Sequence, residues 1–218
     1  MQVKICGITS VEDGLAASEA GADFIGLIMA ETPRRAAPDV ARRILDRLPE
    51  QTQGVLLFRD QPHDEIVACV RKLGAKFVQL HGRESPEFIG ELKAALPEVR
   101  FIRAWPLASQ ASLAALLEHI KCAARIGVDF YRVIVDQPKS GPPPSEGIFK
   151  LAAGGWSDDL PGLWRAGGLT AHNVAEALRE TRYVGVDVAR GVETSPGTKD
   201  RDAMRAFIQA AKRPPACR

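Results

Sequence analysis

The chain has 218 residues, a length that fits one domain of ordinary size, and 45% of them are hydrophobic against 26% charged. This composition excludes disordered, collagen-like and disulfide-scaffold proteins. Lys and Arg total 29 against 27 Asp and Glu, which gives a net charge of +2. This charge gives no electrostatic reason to expect a nucleic acid or a membrane surface as a partner. A small anionic ligand remains compatible with it.

The apolar runs and the cysteines bear on location and on metal binding. No apolar run approaches the roughly 20 residues that cross a bilayer, and the opening run Met1 to Cys6 has the pattern of a short strand rather than of a secretory signal. We therefore expect a cytoplasmic protein. The four cysteines are Cys6, Cys69, Cys122 and Cys217, without Cys-x-x-Cys spacing or clustered histidines. This spacing predicts free thiols, no metal site and no disulfide framework.

Short apolar runs alternate with amphipathic helical patterns along the chain. Strands are predicted at Val3–Cys6, Phe24–Met29, Gly54–Phe58, Phe77–Leu80, Val99–Ala104, Tyr131–Val135, Leu163–Ala166 and Tyr183–Val188. Helices are predicted from a capping box at Thr9 and Glu12 to Ala20, over Pro38–Leu48, around Ile66 to Leu73, from an N-cap at Ser85, around Leu113 to Ile120, and over Ala171–Leu178 and Asp200–Ala211. We expect an irregular Pro-rich loop at about 137–147 and a frayed tail at 213–218.

This order of elements predicts the fold. Continuous apolar strands alternating with helices imply parallel strands whose outer face is covered. Eight units of about 27 residues each fit a closed (β/α)₈ TIM barrel that spans residues 1–218 as a single α/β domain. The alternative is a doubly wound open sheet, but no Gly-x-Gly-x-x-Gly follows the first strand, where a dinucleotide-binding sheet would carry it.

Active sites of such barrels lie at the carboxyl ends of the strands, so reactive residues there are candidates for chemistry. Cys6 closes the first strand and is followed by the small Gly7; the competing interpretation is a small buried hydrophobe. Asp136 ends a very apolar strand, where burial would favour the protonated form that a general acid needs. It is equally compatible with a helix or turn cap.

Lys4 precedes Cys6 by two residues and therefore points to the same side of the strand. If that side is the barrel interior, its ammonium group needs a carboxylate, and Asp187 is the first candidate. In the alternative, Lys4 lies at the lower mouth of the barrel and reaches water.

Glycines follow the seventh and eighth strands, at Gly167, Gly168 and Gly191, with Arg190 beside the last. The loops after these two strands form the common phosphate site of TIM barrels, so the pair of glycine loops favours phosphate binding over simple turns.

Two further residues with polar side chains lie in the second and fourth loops. Arg34 has a planar guanidinium that could hold a carboxylate through two parallel hydrogen bonds, or it is a solvated loop residue. His81 ends the fourth strand, where a structural histidine is the more usual outcome.

Several motifs together point to a known family. They are Lys4-Ile5-Cys6-Gly7-Ile8-Thr9, Gly21-Ala22-Asp23-Phe24-Ile25-Gly26, Thr32-Pro33-Arg34, Gln79-Leu80-His81-Gly82, Ala166-Gly167-Gly168-Leu169, Asn173-Val174, Val186-Asp187-Val188, Gly191-Val192-Glu193 and Pro196-Gly197-Thr198-Lys199-Asp200. Over essentially its whole length the chain resembles the phosphoribosylanthranilate isomerases. The resemblance implies a TIM barrel and an Amadori rearrangement of an N-linked phosphoribosyl aminobenzoate, without cofactor or metal.

The resemblance also implies roles for individual residues. Cys6 matches the general base, Asp136 the general acid, and Arg34 the residue that receives the anthranilate carboxylate. The substrate-binding set is completed by His81, Gly167, Gly168, Asp187, Arg190 and Gly191. The expected partner is a small phosphoribosyl substrate, and the expected state is a monomer or homodimer.

The sequence departs from the family pattern at three places. Pro143-Pro144-Ser145-Glu146 stands where the family has a glycine-rich loop, and would put a carboxylate near the phosphate or a lid. Arg190 replaces a hydroxyl residue, and Leu151 replaces a Trp. Two alternatives therefore stay open: a divergent barrel that isomerises another phosphosugar amine, and a non-catalytic barrel that binds a phosphorylated ligand.

Overall fold

Eight parallel strands close into a barrel in the computed structural model, which describes residues 1–138, 144–179 and 182–213. The barrel strands are β1 (Gln2–Cys6), β2 (Phe24–Ile28), β3 (Gln53–Phe58), β4 (Phe77–Leu80), β5 (Arg100–Pro106), β6 (Arg132–Asp136), β7 (Gly162–Arg165) and β8 (Gly185–Val188). Each strand pairs with the next, and β8 pairs in parallel with β1, with Lys4 in register with Asp187. The predicted TIM barrel is confirmed, because an open sheet would leave the first and last strands apart.

Helices alternate with the strands and cover the barrel. They are α1 (Val11–Glu19), α2 (Pro38–Leu45), α3 (His63–Leu73), α4 (Pro86–Ala95), α5 (Gln110–Arg125), α6 (Glu146–Gly154), α7 (Val174–Ala177) and α8 (Arg201–Lys212). A hairpin of two short strands, β9 (Glu193–Ser195) and β10 (Thr198–Lys199), follows β8 and a single 3₁₀ turn. Among the described residues, no helix has the length and apolarity needed to span a bilayer.

The helix termini follow from local sequence, with one correction. Ser85 caps α4 by accepting a hydrogen bond from the amide of Phe88, as predicted. The predicted capping box at Thr9 is wrong, because Ser10 caps α1 through the amide of Asp13. Thr9 instead donates its hydroxyl to the carbonyl of Gly197, 2.5 Å away, and so ties the β9–β10 hairpin to the loop after β1.

Other boundaries also differ from the prediction; for example, β5 continues to Pro106 and β8 begins at Gly185 rather than Tyr183. The second helix ends at Leu45 rather than Leu48, and the seventh covers only Val174–Ala177. The Pro-rich loop does not continue to residue 147, because α6 begins at Glu146. Residues 139–143 of that loop and 214–218 of the tail lie outside the described residues.

Aromatic rings fill part of the barrel interior. The ring centroid of Phe24 on β2 lies 5.5 Å from that of Phe77 on β4 and 5.1 Å from that of Trp164 on β7. These strands are not neighbours in the sheet, so their side chains meet only through the inside of the barrel. The interior is therefore a packed core, and the polar groups described next occupy space within it.

Candidate active site

The Cys6 thiol lies inside the barrel at the carboxyl end of β1. It is 5% exposed and belongs to a small buried cluster with Ile28 of β2 and Leu57 of β3. The residue of β2 in register with Cys6 is Gly26. A Cβ atom at Gly26 would lie 2.8 Å from the Cys6 sulfur and 2.9 Å from the Lys4 ammonium. The absence of a side chain at Gly26 therefore makes room for both groups.

Lys4 and Asp187 form a buried ion pair beside this thiol. The Lys4 Nζ lies 2.9 Å from Asp187 Oδ1, and the lysine side chain is fully buried. The predicted pair of Lys4 and Asp187 is confirmed, and the alternative that Lys4 reaches solvent at the lower mouth of the barrel is wrong. Burial raises the pKa of the Cys6 thiol, while the neighbouring Lys4 ammonium acts in the opposite direction. Asp187 raises the pKa of the thiol less than Lys4 lowers it, and Lys199 acts in the same direction as Lys4, so the Lys4–Asp187 pair as a whole favours the thiolate.

Asp136 ends β6 and points into the same mouth. Its Oδ2 lies 3.6 Å from His81 Nε2, and its Oδ1 accepts a hydrogen bond of 2.7 Å from the amide of Gln137. His81 follows β4, so the two side chains meet past the intervening β5, inside the barrel. The Asp136 side chain is 23% exposed, so part of it is reachable from the mouth.

Arg34 forms a two-pronged ion pair. Its Nε and Nη2 donate to the carboxylate of Glu193 on β9 at 2.7 to 3.0 Å. The same carboxylate accepts a hydrogen bond of 2.7 Å from the buried ammonium of Lys199 on β10. Lys199 also donates to the carbonyl oxygens of Cys6, at 2.6 Å, and of Ala189, at 3.3 Å. The interpretation of Arg34 as a solvated loop residue is therefore wrong.

The loops after β7 and β8 contact each other. Gly167 and Gly168 have φ of +84° and +66°, a conformation that side chains disfavour, so glycine is required here. A Cβ at Gly191 would overlap the carbonyl oxygen of Leu169, so the two loops approach as closely as backbones can. Asn173 bridges the first loop by accepting from the amide of Thr170 and donating to the carbonyl of Gly168.

Comparisons with known proteins agree on one family. Residues 3–210 match the family of N-(5'-phosphoribosyl)anthranilate (PRA) isomerases. The chain belongs to this family. Among curated isomerases it is 39% identical to that of Rhodopseudomonas palustris over 213 residues, which cover 96% of this chain and 97% of the relative. It is 36% identical to that of Pelobacter propionicus over 219 residues, covering 97% and 96% of the two chains.

The solved structures of PRA isomerases share this fold. The enzyme from Thermotoga maritima superposes with a TM-score of 0.84 at 30% identity, over 97% of this chain and 98% of that one. A PRA isomerase in complex with reduced 1-(o-carboxyphenylamino)-1-deoxyribulose 5-phosphate superposes with a TM-score of 0.82 at 30% identity over the same shares.

One departure from the PRA isomerase pattern has a structural explanation. The Glu146 carboxylate lies 3.3 Å from Arg165 Nη2, and the same guanidinium donates to the carbonyls of Ala166 and Gly167 after β7. The Arg165 guanidinium in turn lies 3.3 Å above the ring of Phe149, in the layer between β7 and α6. Glu146 thus neutralises a buried arginine outside the barrel. Pro143 lies outside the described residues, and Leu151 is an exposed residue of α6.

The structure brings three functional candidates to the site that the sequence analysis did not assign. Gly26, Glu193 and Lys199 all occur in the quoted family motifs, which is the one signal that could have found them. Of the other predicted residues, Arg190 is exposed at the rim after β8. Cys69 and Cys122 are half-buried in helices away from the mouth, and Cys217 lies outside the described residues.

A metal site or a second cavity would be an alternative place for the chemistry. In residues 1–138, 144–179 and 182–213, no three His, Cys, Asp or Glu side chains cluster as a metal-ion site. A cavity of about 420 Å³ opens at the amino-terminal end of the barrel, lined in part by Gln2, Asp23, Lys76 and Arg100. None of the residues expected to act on substrate lines this cavity, so we assign the chemistry to the opposite, carboxyl-terminal mouth.

Proposed function

We propose that this chain catalyses the Amadori rearrangement of N-(5'-phosphoribosyl)anthranilate to 1-(o-carboxyphenylamino)-1-deoxyribulose 5-phosphate. The observation that carries the proposal is the combination of a buried thiol at the end of β1 and a partly exposed carboxylate at the end of β6, in a chain that matches PRA isomerases from residue 3 to residue 210.

The proposed chemistry needs one acid and one base. Asp136 gives a proton to the ring oxygen of the ribose, the bond from that oxygen to C1' breaks, and the anthranilate nitrogen forms an iminium with C1'. The Cys6 thiolate then takes the proton from C2', and its electron pair neutralises the iminium to give an enolamine. The enolamine ketonises as C1' gains a proton and the C2' hydroxyl loses one. Asp136 gives one proton and Cys6 takes one, and both return to their starting forms by exchange with solvent. C1' is reduced as C2' is oxidised, so the reaction is an isomerisation that needs no external oxidant or reductant.

The substrate has a carboxylate at one end and a phosphate at the other, and both need hydrogen-bond donors from the protein. Arg34 would receive the anthranilate carboxylate, because a guanidinium binds a carboxylate with charge-assisted hydrogen bonds. The amides of Gly168 and Gly191, together with Arg190, would hold the phosphate at the loops after β7 and β8. His81, Gly167 and Asp187 complete the proposed set around the ribose.

The proposal also covers the oligomeric state and the cellular location of this chain. A solved relative from Thermotoga maritima is described as dimeric. For this chain the two proposed states are a monomer and a homodimer, which light scattering distinguishes, and the proposed location is the cytoplasm.

The function is tested by expressing the chain in a tryptophan auxotroph that lacks PRA isomerase. We expect the wild type and Cys69→Ser to restore growth without tryptophan, and Asp136→Asn to fail although it accumulates as folded protein. If the folded wild type fails to restore growth and does not convert the purified substrate, the proposal is wrong. The two alternatives, another phosphosugar amine as substrate and a non-catalytic barrel that binds a phosphorylated ligand, would then take its place.

A further inference from the structure

The β9–β10 hairpin places two charged residues between the proposed carboxylate receptor and the proposed base. Glu193 lies at the start of β9 and Lys199 at the end of β10, and their side chains meet at 2.7 Å. Glu193 holds Arg34, and Lys199 holds the carbonyl of Cys6. A single short hairpin therefore touches both functional groups.

The Arg34 contacts determine which of its edges is left for a ligand. Glu193 occupies the Nε–Nη2 edge of the guanidinium. A guanidinium has five N–H donors, and its Nη1–Nη2 edge also matches the spacing of two carboxylate oxygens. The pair with Glu193 thus orients Arg34 and leaves this second edge for a carboxylate.

An arginine already paired with a carboxylate has little charge to offer a second one. Arg34 and Glu193 alone sum to zero, and a neutral pair would attract a ligand carboxylate only weakly. Lys199 changes that sum. Its ammonium has three N–H donors and three acceptors at 2.6 to 3.3 Å, on Cys6, Ala189 and Glu193, which is the arrangement that the protonated form requires. The cluster of Arg34, Glu193 and Lys199 therefore has a net charge of +1.

We propose that Lys199 is a positioning residue with two effects: it keeps the Arg34–Glu193 cluster at net +1 so that Arg34 binds the substrate carboxylate, and it fixes the backbone of the base Cys6. The proposal rests on the proposed function and adds the residues that make it work. The first effect acts on substrate binding, and the second acts on the chemical step.

Four proteins test the two effects separately: the wild type, Lys199→Met, Glu193→Gln and the double variant. Their cluster charges are +1, 0, +2 and +1. We expect Lys199→Met to raise KM about tenfold, as the loss of one charge-assisted interaction would. A glutamine keeps one oxygen that accepts from Arg34. We therefore expect the double variant to return KM to within about threefold of the wild type, and Glu193→Gln to have a KM no more than about threefold above it.

The kcat values report the second effect. Both proteins that lack Lys199 lose the hydrogen bond to the Cys6 carbonyl, so kcat falls about tenfold in each and the second substitution does not restore it. Tyr183→Phe is the matched control, because it removes a buried hydrogen bond of 2.9 Å from a side chain to the carbonyl of Phe149, away from the mouth. It should lower the melting temperature and leave both kinetic constants within about twofold.

A KM that worsens further in the double variant, or kinetic constants that follow melting temperature in all five proteins, would overturn the inference and leave the hairpin as scaffold. Absence of turnover in the folded wild type would instead refute the proposed function. The two failures are therefore distinct.

Discussion

Buried ion pairs occur in two regions of this barrel, and they have different neighbours. Inside the barrel, the pair of Lys4 and Asp187 lies beside the Cys6 thiol. In the outer layer between strands and helices, Arg103 pairs with Glu84 at 2.9 Å and donates to the carbonyls of Leu80 and Gly82. The outer pair satisfies backbone oxygens at the end of β4 and in the loop after it, whereas the inner pair is next to a thiol that can ionise. The comparison teaches that position, rather than burial, decides whether a buried charge acts on reactivity.

The largest expected effect concerns the thiol itself. Cys6→Ser should lower kcat about a thousandfold, since a hydroxyl is a far poorer base near neutral pH and a general base contributes about 10² to 10⁴. Steady-state turnover of the purified protein measures this. Cys69→Ser is the control and should keep normal activity. Turnover of Cys6→Ser equal to that of the wild type would remove the thiol from the mechanism.

The second prediction contrasts the two pairs directly. Lys4→Met/Asp187→Asn and Arg103→Met/Glu84→Gln each replace a buried pair by neutral groups of similar size, and each should change the free energy of unfolding by about 1 to 4 kcal/mol in either direction. Only the first should lower kcat, at least about tenfold, because it removes the cation beside the thiol. Urea unfolding and turnover measure the two quantities. Equal kcat values in the two double variants would abolish the distinction drawn between the regions.

A smaller effect is expected at the rim. Arg190→Ser should raise KM about tenfold and leave kcat within a few-fold, because one charge-assisted hydrogen bond to phosphate is worth about 1.4 kcal/mol. The KM of the wild type should also rise with salt, as exposed charges are screened. A KM that stays unchanged, with inorganic phosphate binding elsewhere than Gly168 and Gly191, would place the anion site outside these loops.

The last expected effect is on stability rather than on turnover, and it is a pH dependence in the outer layer. Burial lowers the pKa of His119 to about 4, with Arg103 acting in the same direction and Glu87 against it. The unfolded chain therefore binds this proton at a higher pH than the folded chain does, so stability falls as pH drops from about 6.5 to about 4. His119→Phe should flatten that part of the profile of melting temperature against pH. A slope that this substitution leaves unchanged would refute the assignment.

The barrel could be predicted because its signals are local. Apolar strands and helix periodicity recur along the chain, and strand parity alone put Lys4 and Cys6 on one side, which led to Asp187. The cap of α1 was misassigned because Thr9 and Ser10 are adjacent hydroxyl residues and only the backbone decides between them.

The contact of Arg34 with Glu193 could not be predicted in the same way. The two residues are 159 positions apart, and the strands of the hairpin, with three and two residues, are too short to show periodicity. The Ser195-Pro196-Gly197-Thr198 turn was the available signal, since Pro followed by Gly at positive φ is typical of a type II turn.

The central claim, that charges inside the barrel act on the Cys6 thiol, is tested by the pH dependence of Cys6 alkylation. Iodoacetamide is used without substrate, with the other three cysteines replaced by serine. The account predicts that the alkylation rate keeps rising beyond the ordinary thiol range, because burial raises the pKa of Cys6, and that Lys4→Met/Asp187→Asn moves the profile to still higher pH. A wild-type midpoint at or below the ordinary thiol range of about 8.5, or a profile that the double substitution leaves in place, would contradict it.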